Sequence, residues 1–365
     1  MALTAGIVGL PNVGKSTLFN AITKAGALAA NYPFATIDPN VGIVEVPDSR
    51  LDVLTEMVEP KKTIPTTFEF TDIAGIVKGA SKGEGLGNKF LSHIREVDAI
   101  CQVVRAFDDD NVTHVSGRVD PIDDIEVINM ELVLADLESV DKRLPKLEKM
   151  ARQKDKDAVN ETRILSRIKE ALEEGNPVRS LEFTEDDQKY VNQAQLLTSK
   201  EMLYIANVGE DEIGDEDNEK VKTIREYAEK EDSEVIVISA KIEEEIAVLE
   251  DEDREMFLED LGIEEPGLDR LIRTTYDLLG LATYFTAGVQ EVRAWTFIKG
   301  MTAPQCAGII HTDFERGFIR AEVTSYDDYV EFNGENGAKD AGKQRLEGKE
   351  YIMKDGDVVH FRFNV

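Results

Sequence analysis

Cysteine is scarce in this chain: Cys101 and Cys306 are the only two among 365 residues. A lone pair so far apart in sequence makes neither a disulfide framework nor a zinc site, and it fits a reduced cytosol. Positive charge is also short. Lys and Arg number 42 against 73 Asp and Glu, a formal charge of −31. So acidic a surface disfavours non-specific contact with nucleic acid, so any nucleic-acid role falls to a local basic patch. Apolar runs are short, none approaching the roughly 18 residues that a membrane helix needs. The first residues show no basic segment leading into a long apolar stretch, and enter a strand pattern at Ala5-Gly6-Ile7-Val8-Gly9. The expectation is a cytoplasmic protein, neither membrane-spanning nor secreted by a standard signal. Hydrophobic residues make up 42%, enough for a large core.

Short apolar runs at residues 5–9, 68–73, 99–104, 202–207 and 234–239 alternate with helical patterns. That alternation predicts the α/β class, with a mostly parallel sheet covered on both faces. One stretch, about 126–200, breaks it. Leu137, Val140, Leu144, Leu147 and Ala151 follow helical spacing, as do Leu165, Ile168 and Leu172, then Val191, Ala194 and Leu197. Two long helices running back on each other predict an antiparallel coiled-coil hairpin inserted between strands. Thr184 with Asp187 resembles a capping box before the last helix. From about residue 281 short β segments return around a helix candidate at 303–310, which predicts a small α+β domain. The expected division is therefore 1–277, interrupted by 126–200, and 280–365.

Gly9-Leu10-Pro11-Asn12-Val13-Gly14-Lys15-Ser16 matches G-x-x-x-x-G-K-[ST] between a strand and a helix, the context that a phosphate-binding loop requires. Backbone N–H groups of Asn12, Val13, Gly14, Lys15, Ser16 and Thr17 should wrap the β-phosphate at the helix N-terminus. Lys15 should reach the β/γ oxygens, and Ser16 should offer its hydroxyl to Mg²⁺. Asp72-Ile73-Ala74-Gly75, after the second strand of this reading, supplies a carboxylate that would bind Mg²⁺ through water. Thr36 suits a switch loop that closes on the same ion. After the later strands come Asn207-Val208-Gly209-Glu210 and Ser239-Ala240-Lys241. GTPases carry N-K-x-D and S-A-K there. Val208 replaces the Lys and Glu210 the Asp that accepts two bonds from guanine, while Asn207 suits adenine at least as well as guanine.

With these motifs the sequence closely resembles the Obg-like ATPases, the YchF family of translation-factor-class P-loop proteins. The resemblance covers essentially the whole chain. Its specific pieces are the phosphate loop, Gly79-Ala80-Ser81-Lys82-Gly83-Glu84-Gly85-Leu86-Gly87-Asn88, the altered base motif, and Asn333-Gly334-Glu335-Asn336-Gly337-Ala338-Lys339. It implies a G domain, a coiled-coil insertion and a C-terminal TGS domain of β-grasp fold. It also implies ATP preferred over GTP, and association with ribosomes, the large subunit or its RNA included, or with other translation components. A GTPase of the same fold, and a binding module in which nucleotide is a structural ligand, are the alternatives.

Many GTPases place a water-orienting Gln directly after D-x-x-G. Here Ile76 stands there, so another group must hold the water. Of four histidines, His93 falls in a helix pattern and His311 and His360 in the TGS region. His114 lies in a polar loop at the C-terminal edge of the sheet and is the candidate for positioning water. Seven basic residues gather between 142 and 156 (Lys142, Arg143, Lys146, Lys149, Arg152, Lys154, Lys156) against Glu148 and Asp155, a local charge of +5. They are either a solvated helix face or a contact for RNA or another acidic partner.

Overall fold

The structure is a computed structural model describing residues 3–28, 40–75, 86–109, 112, 114, 117–214 and 218–364. It divides into two compact units, Met1–Val44 with Glu69–Leu271, and Glu45–Phe68 with Ile272–Val365.

The first unit is built on a six-stranded sheet. Its order is Val41–Glu45, Thr67–Asp72, Thr4–Val8, Ala99–Arg105, Glu201–Asn207 and Glu234–Ile238. The last five run parallel in register, for example Ile7 opposite both Asp72 and Cys101, and Arg105 opposite Asn207. A strand covered on both faces cannot alternate with polar residues. Accordingly all seven residues of Ala99–Arg105 are buried. The sheet's C-terminal ends carry the loops at residues 9–16, 72–75, 106–109, 207–210 and 239–241, the edge where ligands of α/β folds bind.

The helical insertion begins at Pro121, a residue whose fixed φ suits a first turn, behind Asp120, whose side chain accepts from Asp123 N at 3.2 Å. The first helix, Pro121–Ala151, would be about 46 Å long at 1.5 Å per residue. Lys154 at φ +63° turns the chain, and Asp155 caps the returning helix Lys156–Glu173 by accepting from Asp157 N and Ala158 N. Val140, Leu144 and Leu147 pack against Leu165 and Ile168, the seam the periodicity predicted, and Ile164, which it did not single out, joins them. Glu185–Ala194, capped by Thr184, closes the bundle with Tyr190 and Val191. Buried Asp136 joins the two ends of the insertion: its carboxylate accepts from Leu197 N (2.9 Å), Thr198 N (2.8 Å) and Thr198 Oγ1 (2.7 Å), just before the strand Glu201–Asn207. None of the helices among the described residues is long and apolar enough to cross a membrane.

The second unit has its own sheet, ordered Arg345–Glu347, Phe318–Ser325, Asp357–Phe363, Leu281–Ala287, Val292–Ile298 and Thr63–Ile64. One face packs on the helix Ala303–Ile310 through Tyr284, Phe297, Cys306 and Phe361. The other packs on the helix Ser49–Val58 through Leu51, Leu54, Phe285 and Val292. The α/β class, the inserted hairpin and a C-terminal domain of β-grasp character are all present. Residues 40–68 differ from the sequence reading, which placed no element there: they form a strand, a helix capped by Asp48 and a two-residue strand. Because Leu51 and Leu54 bury against Phe285 and Val292, that helix joins the second unit, and the division falls after Leu271 rather than at 277–280.

The Asp136 hinge yields a stability prediction. Asp136→Ala leaves two buried backbone donors unpaired, at roughly 1–3 kcal/mol each. We expect about 3 kcal/mol lower stability in urea denaturation; a loss under about 1 kcal/mol would mean that the hinge is not held by this carboxylate.

Candidate nucleotide site

The loop that leaves Thr4–Val8 turns tightly before the helix Lys15–Leu28 starts. Two residues take left-handed conformations, Asn12 at φ +64° and Gly14 at φ +95°. Such a turn, followed by a helix N-terminus, points successive N–H groups into one concavity and favours a bound anion. Gly14 has a second reason to be glycine: a Cβ there would lie 2.1 Å from Nδ2 of Asn207.

Asn207, at the end of its strand and 4% exposed, is the brace of the site. Its Nδ2 donates to the carbonyl of Val13 at 2.8 Å, and its Oδ1 accepts from Ala240 N at 2.9 Å. One side chain thus joins the phosphate loop, the base-motif strand and the start of Ala240–Ile246. An amide nitrogen carries two hydrogens, so Nδ2 retains one for a purine. Beside it, Val208 is 2% exposed and its N–H donates to Ile238 O, so this side chain belongs to the core and only its backbone lies at the edge. Buried Ser239 precedes the short helix and its carbonyl accepts from Glu243 N. Glu210 opens the turn Glu210–Glu212, and its Oε2 accepts from Lys241 Nζ at 2.5 Å.

On the phosphate side the ammonium of Lys15 pairs with the Oδ1 carboxylate oxygen of Asp72. Asp72 is set by the sheet: its N–H donates to Asn40 O, and the next N–H, of Ile73, to Ile7 O. Ser16, in the first helical turn, is exposed. A hydroxyl and a carboxylate are the hard oxygen donors that Mg²⁺ takes, keeping several waters, so these residues fit that ion. Thr36 and Ile76 lie outside the described residues, as do residues 79–85 of the motif that follows Gly75.

His114 is 6% exposed, and its Nε2 lies 2.9 Å from Oδ2 of Asp124 in the first helical turn of the insertion. Burial raises the Asp124 carboxyl above its ordinary value, and the bond to His114 opposes that rise. The loop before His114 is organised by Arg105, 1% exposed, whose guanidinium donates to the carbonyls of Phe107 (3.1 Å), Val112 (2.9 Å) and Asp109 (3.2 Å). Neither Asp124 nor Arg105 was singled out from the sequence. Their signal there is faint: a second acid in a capped first turn, and a cation at the end of an otherwise apolar strand.

Comparison with known proteins places the chain in a family. Residues 4–158 match the family described as "50S ribosome-binding GTPase". Residues 281–364 match the C-terminal family of YchF GTPases, described as "Protein of unknown function (DUF933)". The protein named "Ribosome-binding ATPase YchF" of Bacillus subtilis (strain 168) is 73% identical over 366 residues, covering 100% of both chains. The chain belongs to the YchF family. The YchF protein of the same name from Escherichia coli O157:H7 is 56% identical over 365 residues, again 100% of each chain. The solved structure of the Schizosaccharomyces pombe YchF GTPase superposes with a TM-score of 0.91 at 42% identity, covering 99% of this chain and 97% of that one.

If Asn207 braces the loop, Asn207→Ala should weaken nucleotide binding about 10- to 100-fold, the worth of one to two buried hydrogen bonds. Equilibrium titration with a fluorescent nucleotide checks this; unchanged affinity would mean that the phosphate loop holds its shape without the brace.

Proposed function

We propose that this chain is a slow Mg²⁺-dependent ATPase whose nucleotide state governs its binding to ribosomes. The observation that carries the catalytic half is the concave loop at residues 9–16, with Lys15 and Asp72 meeting at its mouth. The names of the full-length relatives support both halves. In this reading the N–H groups of residues 12–17 bind the β-phosphate, and Lys15 exchanges Asp72 for the β/γ oxygens. Ser16, Asp72 through water, and Thr36 would hold Mg²⁺, which would supply charge neutralisation on those oxygens. Asn207 and the backbone of Val208, with Glu210 and Ser239, form the base side. His114, its ring oriented by Asp124 as carboxylates commonly orient imidazoles, positions the attacking water.

The ribosomal contact is proposed to be RNA, of the large subunit, at the hairpin turn. Lys142 pairs with Glu138, and Arg143 with Glu161. Lys146, Lys149, Arg152, Lys154 and Lys156 are exposed and have no ion-pair partner among the described residues. Cations at the end of long helices can meet phosphate while an acidic body stays beyond the roughly 8–10 Å over which salt screens charge. The family description that matches residues 4–158 names the 50S particle and supports that choice. A GTPase reading is favoured by the intact Ser239-Ala240-Lys241, and competition between ATP and GTP decides it.

Three tests follow. Lys15→Ala and Ser16→Ala should each abolish Mg·ATP hydrolysis while circular dichroism stays normal; normal turnover in either would displace the site. His114→Ala should lower kcat with ATP affinity unchanged, and equal kcat would return the ring to a structural role. Replacing Lys146, Lys149 and Arg152 with Glu should weaken ribosome co-sedimentation and flatten its salt dependence with basal ATPase intact. Normal co-sedimentation by that variant across salt concentrations would leave these residues a solvated face.

A further inference from the structure

The base side of the site contains an ion pair that the nucleotide-binding motifs do not call for. Glu210 stands where GTPases carry an Asp, and its Oε2 is occupied by Lys241 Nζ at 2.5 Å. Both partners are anchored. Gly209 N donates to Glu212 Oε2 at 2.9 Å, which fixes the turn that carries Glu210. Ala240 N, one residue before Lys241, donates to Asn207, which also grips Val13 of the phosphate loop. The pair is thereby held in register with the phosphate loop. As a largely exposed pair it adds little to folding stability. Its consequence lies in what Glu210 can still accept.

Guanine offers two donors on one edge, N1–H and the N2 amine, and a carboxylate reads them with both oxygens. Adenine has an acceptor at N1 and a donor at N6, so a free carboxylate facing N1 is repelled. An ammonium on Oε2 competes with guanine for that oxygen, draws it out of line for a paired contact and neutralises the charge that adenine would meet.

We propose that Lys241 is a specificity-determining positioning residue: by holding Glu210 it denies guanine its paired acceptors and sets the preference for adenine. The inference rests on the proposed nucleotide site and deepens it.

The test is equilibrium titration with fluorescent ATP and GTP analogues in Mg²⁺, using the full chain and four variants. Lys241→Met should tighten GTP binding about 10-fold and weaken ATP binding by up to about 3-fold. Lys241→Arg, which can keep the pair, should preserve the parental ATP/GTP ratio. Glu210→Asp should also move the ratio toward GTP, and adding Lys241→Met to it should change the ratio by less than about 2-fold, the signature of two residues acting as one unit. A Lys241→Met ratio within about 2-fold of the parent, or an equal loss for both nucleotides, would overturn the proposal. Parental protein that binds neither nucleotide would instead overturn the site itself.

Discussion

The side chain of Asn207 is the contact on which the candidate site depends. It reaches across 194 residues of sequence to the Val13 carbonyl, and with its other end it holds Ala240 N. A tight loop with two left-handed residues has few bonds of its own, and its N–H groups must stay turned inward for a ligand. Tying one of its carbonyls to the end of the strand Glu201–Asn207, two places along the sheet, restrains it without using those donors. The same constraint explains why Gly14 tolerates no side chain, and it ties the loops after two adjacent strands, Glu201–Asn207 and Glu234–Ile238, to the phosphate loop.

The sheet makes this arrangement possible. Parallel strands buried on both faces bring their C-terminal ends to one edge, so residues from distant parts of the sequence converge there. The insertion is fastened close to that framework by Asp136, immediately ahead of the strand that ends in Asn207. Arg179 adds a second fastening through Glu231 at 2.9 Å, and Tyr204, in the middle of the same strand, donates to that carboxylate at 2.8 Å. The sheet edge and the hairpin are thus joined through a packed, hydrogen-bonded element.

Much of this was legible in the sequence because the signals are local. The phosphate loop is eight contiguous residues, and the hairpin seam of Val140, Leu144, Leu147, Leu165 and Ile168 repeats at helical spacing. Residues 40–68 were not legible. Val41–Glu45 is half-exposed and includes Gly42, and Ser49–Val58 buries only Leu51 and Leu54, partners that lie more than 230 residues away. The site's chemistry was read from residue types, but its couplings were not. Lys15 with Asp72, Glu210 with Lys241, and His114 with Asp124 are pairings made by topology, and nothing in their spacing along the chain announces them.

Amide hydrogen exchange on the full chain, with and without Mg·ATP, tests the coupling of these loops most directly. If Asn207 joins them as described, nucleotide should slow exchange at residues 9–17, 207–210 and 239–241 together, over the same concentration range. Protection confined to residues 9–17, or absent from all three segments, would contradict the account.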